Sequence, residues 1–334
     1  MDTIGVGLLG CGIISSSLAD ATGDATDATL AACCDMDADR ARELAADYDV
    51  PNWYDDHEAM LADETVDIAI VATPSGTHAS LTVDCAAAGV HVLCIKPLDV
   101  KRDRLDRMIG VCEKEGVKLG GLFESRFAAG PDRVKQLIDA DVLGDIVLAN
   151  GTLPVWRSQD YFDQADWRGT YEMDGGCLFN QGVHLVDRLA WLNDGIVRVF
   201  ADVETVAHDI EVEDVAAVTV RYGNGAKGTI AATTATRNGP HYDVMELYGA
   251  AGHVRSSNAA LLGFDSDDRD EPGVEPRYEH RGFTVQIQDM ATAIREDREP
   301  IITGREARHA SDAILAMYES AERNEPVDVP SFRD

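Results

Sequence analysis

The chain opens with the sequence IGVGLLGCGIIS at residues 4–15, in which an apolar run meets a pair of glycines and then passes into a helical pattern. Ile4–Leu9 has the length and composition of a buried strand, and Ile14–Ala21 has helical spacing. Gly10 permits a tight turn between them, and Gly12 lets a ligand come close to the backbone. A strand, a glycine turn and a helix in this order predict the first unit of a doubly wound, parallel α/β sheet.

The glycine turn also predicts a binding site for a dinucleotide. Unpaired backbone N–H groups at the start of a helix, here those around Ile13 and Ile14, can hold a pyrophosphate. Asp35 ends the second apolar run about twenty residues later, where a carboxylate can accept hydrogen bonds from the adenosine ribose. Because that carboxylate repels a 2′-phosphate, the expected cofactor is NAD, with NADP less favoured. A glycine turn alone joins many strands to helices, and a literal GxGxxG at Gly5–Gly10 lies inside the strand, where no turn forms.

The alternation of apolar runs and helical patterns continues to Leu122 and predicts a dinucleotide-binding α/β domain over residues 1–124. Consecutive strands then predict an α+β domain with a large open, mostly antiparallel sheet over residues 125–334. The last helical pattern, Arg305–Arg323, is expected to pack back at the domain junction. The strands expected in the second domain are Ile146–Trp156, Val197–Ala207, Val215–Tyr222, Ala226–Thr234 and Tyr242–Gly249.

The composition limits the class of partner. Of 334 residues, 45% are hydrophobic, which is enough for two domains with cores of their own. Asp and Glu number 60 against 29 Lys and Arg, and this net charge of −31 argues against a nucleic-acid backbone or an anionic membrane surface as partner. The acidic residues are spread along the whole chain, which is typical of a halophilic protein, and we expect low stability in dilute buffer.

The cysteines and the start of the chain bear on its compartment. Seven cysteines follow no CxxC pattern and predict reduced core thiols rather than a metal site. The chain enters a strand without a basic and apolar leader, and no apolar run approaches the ~18 residues of a membrane span. The sequence therefore predicts a cytoplasmic protein that holds no metal.

Two predicted strand ends carry the first candidate site residues. Thr73, Pro74 and His78 follow one apolar run, and Lys96 follows the next, directly before Pro97. Both segments lie at the carboxyl edge of the sheet, where doubly wound folds bind ligands, so we predict that they contact the cofactor. The ammonium of Lys96 can also stabilise the alkoxide formed from a substrate hydroxyl as hydride leaves. A solvated surface lysine is the simpler interpretation, but the position at the end of a buried strand favours catalysis.

A second candidate group lies on the helix predicted at Gly175–Leu192. Asn180, His184 and Asp187 are spaced to share one helical face. Imidazole titrates near neutral pH and can take the hydroxyl proton during hydride transfer, so His184 is the candidate acid–base residue. One alternative is a core histidine that bonds Asn180. The other is a metal site at His184 and Asp187, which no further cluster of ligands supports.

These motifs together resemble the glucose–fructose oxidoreductase and inositol dehydrogenase family, also called Gfo/Idh/MocA. The resemblance implies a Rossmann domain followed by an α+β domain, with a sugar site between them and a sheet often used to form dimers or tetramers. It assigns Lys96 to the substrate hydroxyl and His184 to acid–base catalysis. The resemblance covers essentially the whole chain and rests on Gly10-Cys11-Gly12, Ala72-Thr73-Pro74 with His78, Lys96-Pro97, the Gly175-Gly176 turn, and the helix with His184 and Asp187.

The segment at residues 157–170 is similar to that of family members acting on nucleotide-linked or aminated sugars. Arg157, Trp167 and Arg168 in this segment, and Asn180 before the histidine, are therefore expected to bind substrate. Two positions depart from the family pattern. Ile95 stands where a glutamate usually precedes the Lys-Pro pair, and Asn180 stands where an aspartate is frequent.

The combined expectation is an NAD-dependent dehydrogenase that oxidises a hydroxyl of a sugar, a sugar derivative or a cyclitol. Two alternatives stay open. One is a glycosidase of the same fold that retains its NAD. The other is a non-catalytic sensor of a sugar or dinucleotide, which the departures at Ile95 and Asn180 favour.

Overall fold

The computed structural model describes residues 3–237, 242–266, 277–278 and 282–332. The chain forms two compact units, one of Met1–Glu124 with His280–Arg308 and one of Ser125–Glu279 with His309–Asp334. Residues 280–308 thus belong to the first unit, whereas the sequence analysis includes them in the second domain. The reason is local packing, because this segment contributes apolar side chains to the core of the first unit.

The first unit contains a sheet of six parallel strands in the order β3-β2-β1-β4-β5-β6, which confirms the doubly wound α/β fold. Its strands are β1 (Ile4–Leu9), β2 (Ala28–Cys34), β3 (Asn52–Tyr54), β4 (Ile68–Val71), β5 (His91–Ile95) and β6 (Leu119–Leu122). Its first helices are α1 (Ser15–Asp24), α2 (Ala38–Asp47), α3 (His57–Leu61), α4 (His78–Ala87) and α5 (Arg102–Glu115). The apolar runs form strands because both faces of a parallel sheet are buried, as all four residues of β4 are. The sequence analysis misses β3 and α3, which are too short to show a periodic pattern.

The second unit contains a mixed, mostly antiparallel sheet of eight strands in the order β13-β12-β11-β7-β10-β9-β8-β14. The elements up to residue 266 are α6 (Ala129–Asp139), β7 (Ile146–Pro154), α7 (Gln159–Phe162), α8 (Val183–Leu192), β8 (Ile196–Glu204), β9 (Val215–Tyr222), β10 (Lys227–Thr233), β11 (Val244–Gly249), β12 (Gly252–Ser257) and β13 (Leu261–Ser266). The chain then forms α9 (Gly282–Glu296), α10 (Gly304–Arg323) and β14 (Val327–Asp328). One pair, β7 with β10, is parallel. Strands β12 and β13 were not predicted, because glycine and polar residues interrupt their apolar pattern.

The large sheet has one covered and one open face. Along β9, alternate residues from Ala216 to Tyr222 are buried, as expected for a sheet packed on one side. The packed face meets α8, whose Leu185 and Leu189 leave no room for a side chain at Gly151. The other face exposes large apolar side chains, among them Leu148, Phe200 and Tyr248. Assembly of copies through this sheet stays a prediction.

Helix α9 completes the core of the first unit from late in the sequence. It packs against α1, and its Ile287 and Met290 are fully buried in one cluster with side chains of β1. The Gln286 amide donates to the Gly121 carbonyl in β6 at 2.7 Å, and Arg295 pairs with Asp27 at 3.0 Å. Within the ranges that the structure describes, no helix is both long enough and apolar enough to cross a membrane.

Candidate active site

The glycine turn after β1 has the shape that the sequence predicts. Gly10 has a φ of +102°, and its N–H donates to the Cys34 carbonyl in β2 at 2.8 Å. A Cβ at Gly10 would lie 2.6 Å from the Ala72 carbonyl oxygen, so that only glycine fits. No atom lies within 4 Å of the Cβ position of Gly12. The turn is therefore fixed on one side and open on the other, and a pyrophosphate can approach its backbone at the start of α1.

Asp35 is held beside this turn at the end of β2. One carboxylate oxygen accepts from the Cys11 N–H at 2.8 Å and the other from the Asp37 N–H at 2.9 Å. A carboxylate oxygen can accept more than one hydrogen bond, so Asp35 keeps acceptor capacity for ribose hydroxyls. The neighbouring Ile13 and Met36 are 85% and 96% exposed, and such apolar side chains suit a flat base. The residues at this edge of the sheet fit a dinucleotide, and Met36 is one that sequence reasoning misses.

His78 links the loops that follow β4 and β5. The side chain is fully buried, with Nε2 at 2.7 Å from the Thr73 carbonyl and Nδ1 at 2.8 Å from the Pro97 carbonyl. Burial lowers the pKa of His78. His78 is predicted to contact the cofactor, but a ring that is fully buried between two carbonyls cannot reach one. His78 instead positions Thr73 and the segment that carries Lys96.

Lys96 and Pro74 lie at the same edge of the first sheet as the glycine turn. Neighbouring strands bring them there, because β1 pairs with β4 and β4 pairs with β5, all in parallel. Lys96 follows β5 directly, is half-buried, and is joined to Pro97 by a cis peptide bond. Thr73 is tied to Thr77 by a hydrogen bond of 2.7 Å between their hydroxyls. This edge therefore combines an open glycine turn, a carboxylate and an ammonium group.

The helix predicted over Gly175–Leu192 is interrupted, which corrects the predicted spacing of its polar residues. A π-helical turn spans Leu178–Gly182, and α8 begins only at Val183. Gly175 has a φ of +74°, and the Cys177 N–H bonds the Glu213 carbonyl outside the helix. Asn180 therefore lies in the π-helical turn, outside the regular helical spacing that His184 and Asp187 share in α8.

Asn180, His184 and Asp187 are instead engaged with three separate groups. The Asn180 amide donates to the buried Asp174 carboxylate at 2.6 Å, so a carboxylate does stand beside this position although residue 180 is not acidic. His184 is half-buried, and its Nδ1 lies 3.3 Å from the Ser125 hydroxyl. Asp187 is almost fully buried against Arg126. Each partner is distant in sequence or outside the helix, so no local pattern reveals it.

Arg126 and Asp187 form a buried ion pair. The Arg126 Nε and Nη2 donate to the two Asp187 oxygens at 2.7 and 2.6 Å, which is a bidentate arrangement. Their side chains are 5% and 2% exposed, and the guanidinium also lies over the Trp191 ring. This pair fixes α8, the helix that carries His184, to the segment after Glu124.

The predicted substrate residues of the second unit form a cluster of guanidinium groups stacked on aromatic rings. Arg157 and Arg168 lie over the same Tyr161 ring, with their Cζ atoms 5.0 and 4.2 Å from its centroid. Arg157 also donates to the Gln181 amide oxygen at 2.9 Å, beside Asn180. We call this cluster the arginine–aromatic platform; it consists of Trp156, Arg157, Tyr161, Trp167, Arg168 and Arg237.

A buried histidine, His208, holds the backbone of the platform at Arg157. The Nδ1 of His208 faces the Asp214 carboxylate at 2.8 Å, and its Nε2 faces the Arg157 carbonyl at 2.8 Å. Both side chains are at most 1% exposed. The His208 ring also packs against Trp156 and Phe162, with centroids 5.6 and 5.0 Å apart. The backbone of Arg157 is therefore rigidly held. No local pattern predicts this support, because His208 lies 51 residues after Arg157 along the chain.

Glu213 holds the glycine turn that precedes the π-helical segment. Its carboxylate accepts from the Leu178 N–H at 2.9 Å and from the Tyr318 hydroxyl at 2.7 Å. A Cβ at Gly176 would lie 1.9 Å from a Glu213 carboxylate oxygen, so Gly176 is needed for this close approach. Burial raises the pKa of Glu213 to about 7 and holds the pKa of Tyr318 well above its ordinary value. The segment that leads to Asn180 thus rests on a buried carboxyl group.

This carboxyl group makes stability depend on pH. The pKa of Glu213 is about 7 in the folded protein, against the ordinary carboxyl value of 4.5 in the unfolded chain. The folded protein therefore binds this proton more tightly than the unfolded chain does. The free energy of unfolding should therefore fall as pH rises from about 5 to 8, by roughly 2–3 kcal/mol more in the wild type than in Glu213→Gln. Urea unfolding of both proteins across this range measures the difference. Parallel curves for the two proteins would contradict the assignment.

Comparisons with known proteins agree with this architecture. Residues 4–122 match the oxidoreductase family with an NAD-binding Rossmann fold, and residues 132–255 match the GFO/IDH/MocA C-terminal domain. The chain is 27% identical to D-xylose 1-dehydrogenase (NADP(+)) 2 of Haloferax volcanii, over 91% of this chain and 93% of that protein. It is 28% identical to myo-inositol 2-dehydrogenase of Thermotoga maritima, over 96% of this chain and 97% of that protein.

A solved structure shows the same fold over nearly the full length. It is the WlbA dehydrogenase of Bordetella pertussis in complex with NADH and UDP-GlcNAcA, with a TM-score of 0.89 and 29% identity, covering 98% of this chain and 99% of that one. Two adjoining family matches span most of the chain, and they agree with the motifs and with both sheets. The chain belongs to the GFO/IDH/MocA family, and it is an NAD(P)-dependent oxidoreductase that acts on CH–OH groups.

Proposed function

We propose that this protein is an NAD-dependent dehydrogenase that oxidises a hydroxyl of a sugar, of a sugar derivative such as a nucleotide-linked sugar, or of a cyclitol. The observation that carries the proposal is the carboxyl edge of the first sheet. There the open glycine turn, the fixed Asp35 carboxylate and Lys96 follow the ends of strands in one sheet. Named relatives that act on xylose and myo-inositol support a polyol substrate.

In the proposed reaction, the substrate hydroxyl loses a proton while its carbon loses hydride. When bound, the nicotinamide accepts that hydride. Lys96 donates a hydrogen bond from its ammonium to the substrate oxygen and stabilises the negative charge that develops there. His184 takes the hydroxyl proton, and its ring is oriented by the Ser125 hydroxyl at Nδ1. The product is a carbonyl compound. His78 acts in this scheme only by positioning the segment that carries Lys96.

The preference for NAD rests on Asp35. Its carboxylate is fixed by two backbone N–H groups at the place where the adenosine ribose binds in dinucleotide sites of this kind. A 2′-phosphate there would face a negative charge, whereas a 2′-hydroxyl can donate to it. The relatives differ in this respect, since one is named for NADP(+) and the solved structure holds NADH.

The test is NADH formation by the full-length protein over a panel of free sugars, inositols, sugar acids and UDP-sugars, with NAD and NADP in parallel. We expect turnover with one substrate class and a kcat/KM at least about tenfold higher with NAD than with NADP. Asp35→Asn keeps an acceptor for the Cys11 N–H but removes the charge. It should therefore reduce the difference between kcat/KM with NAD and kcat/KM with NADP. No turnover on any polyol by protein that binds NAD would sink the proposal and support either a sensor or a glycosidase that retains its NAD.

A further inference from the structure

The arginine–aromatic platform gathers positive charge in a chain where carboxylates outnumber cations by 60 to 29. Several arginines elsewhere in the second unit have acidic partners, such as Asp187 for Arg126 and Asp132 for Arg277. Within the described ranges, Arg157, Arg168 and Arg237 have no carboxylate within 4 Å. Aromatic rings and neutral groups contact them instead, so no ion pair among the described residues occupies their donors.

Two donors of the platform have no partner in the part of the chain that the structure describes. The Nε–H groups of Arg157 and Arg168 are buried and have no hydrogen-bond partner among the described residues. A buried donor without a partner costs free energy, and that cost is retained where a ligand supplies the acceptor. Guanidinium groups prefer phosphate and carboxylate as acceptors because both oxyanions match their planar donor geometry.

The platform also lies next to the proposed catalytic helix within the second unit. Arg157 donates to Gln181, and the Tyr161 hydroxyl donates to the Asn180 amide oxygen at 3.4 Å, one helical turn before His184. A sugar whose hydroxyl reaches His184 can therefore place a second group against these rings. The half-buried rings of Trp156 and Trp167 are suited to pack against a sugar ring or a base.

We propose that the arginine–aromatic platform is a binding subsite for an anionic group of the substrate, either a phosphate or a carboxylate attached to the sugar. This inference rests on the proposed function and narrows its substrate to anionic sugars. A phosphate would come from a nucleotide-linked or phosphorylated sugar, and a carboxylate would come from a sugar acid. Arg168 on Tyr161 and Arg237 on Trp156 would supply the charge, while His208 keeps the Arg157 backbone in place.

The experiment is a binding titration of the full-length protein saturated with NAD, so that the dinucleotide site is already filled. The probes are UDP, glucuronate and glucose, and binding is followed by calorimetry and by tryptophan fluorescence. The variants are Arg168→Gln and Arg237→Gln. Arg323→Gln is the matched control, because it removes one exposed arginine of the same unit that pairs with Glu319.

We expect UDP or glucuronate to bind more tightly than glucose, and the difference between the two anions identifies the source of the charge. Arg168→Gln and Arg237→Gln should each weaken binding of that anion by about tenfold or more, while Arg323→Gln leaves it unchanged. Anion affinities that are unchanged in both variants, or no preference for either anion over glucose, would overturn the subsite. Because binding needs no turnover, these results are independent of whether NADH forms.

Discussion

Lys96→Met and His184→Ala are each expected to lower kcat/KM by about 10²-fold or more, while NAD affinity stays close to that of the wild type. Met keeps the length of the lysine side chain but cannot donate to the developing alkoxide. Ala at 184 removes the group that takes the proton. Neither residue belongs to the glycine turn after β1, so the dinucleotide should still bind. NADH formation measures the loss, and protein fluorescence measures the affinity.

Two controls separate a catalytic loss from a general one. Lys114→Met removes an exposed lysine at the end of α5 that pairs with Glu115. His57→Ala removes a partly exposed histidine at the start of α3 that faces Asp84 at 3.2 Å. Both controls should turn over at nearly the wild-type rate. If Lys96→Met and His184→Ala also retained near-normal turnover, the assignment of these two residues would be wrong.

Asp187→Ala is expected to lower the free energy of unfolding by about 3–5 kcal/mol. The substitution removes the carboxylate to which the Arg126 Nε and Nη2 donate. The Arg126 side chain is only 5% exposed. A buried charge without its partner is costly because water cannot replace the lost interaction. Urea unfolding measures the change.

An exposed ion pair in the same unit provides the comparison. Asp328 is 75% exposed and pairs with Arg198 on β8 at 3.2 Å, so Asp328→Asn should cost roughly 0–1 kcal/mol. The double variant Arg126→Met with Asp187→Leu replaces the charges by apolar groups and should recover most of the loss. Asp187→Ala with a stability equal to that of Asp328→Asn would refute the importance of the buried pair.

Local patterns in the sequence predict the first sheet and the shape of its glycine turn well. Gly10 and Gly12 lie within one strand–turn–helix unit and Asp35 directly follows the next strand, so their positions follow from spacing alone. The same holds for Lys96, which follows a buried strand. His78 shows the limit of such patterns. A histidine at a strand end has the same sequence signal whether it faces a ligand or lies fully buried between two carbonyls.

The second unit was harder to predict because its site depends on distant partners. Arg126 lies 61 residues before Asp187, and Arg237 lies against Trp156 from another part of the chain. The sequence favoured one regular helix over Gly175–Leu192, whereas Glu213 draws Gly176 and Leu178 into a different path. Only the tertiary contact shows why Gly176 is needed. Glu213 itself has no motif around it.

The first unit is built from two separate stretches of the chain, and this has a consequence for the synthesis of the protein. Its core is closed by α9, whose Ile287 and Met290 are fully buried with residues of β1. A ribosome that has released residues 1–124 has therefore made all six parallel strands but not the helix that covers them beside α1. More than 150 further residues must emerge before that helix does. The nascent sheet then has an open apolar face for seconds, at the roughly 5–20 residues per second of translation, and we expect chaperones to bind it during that interval.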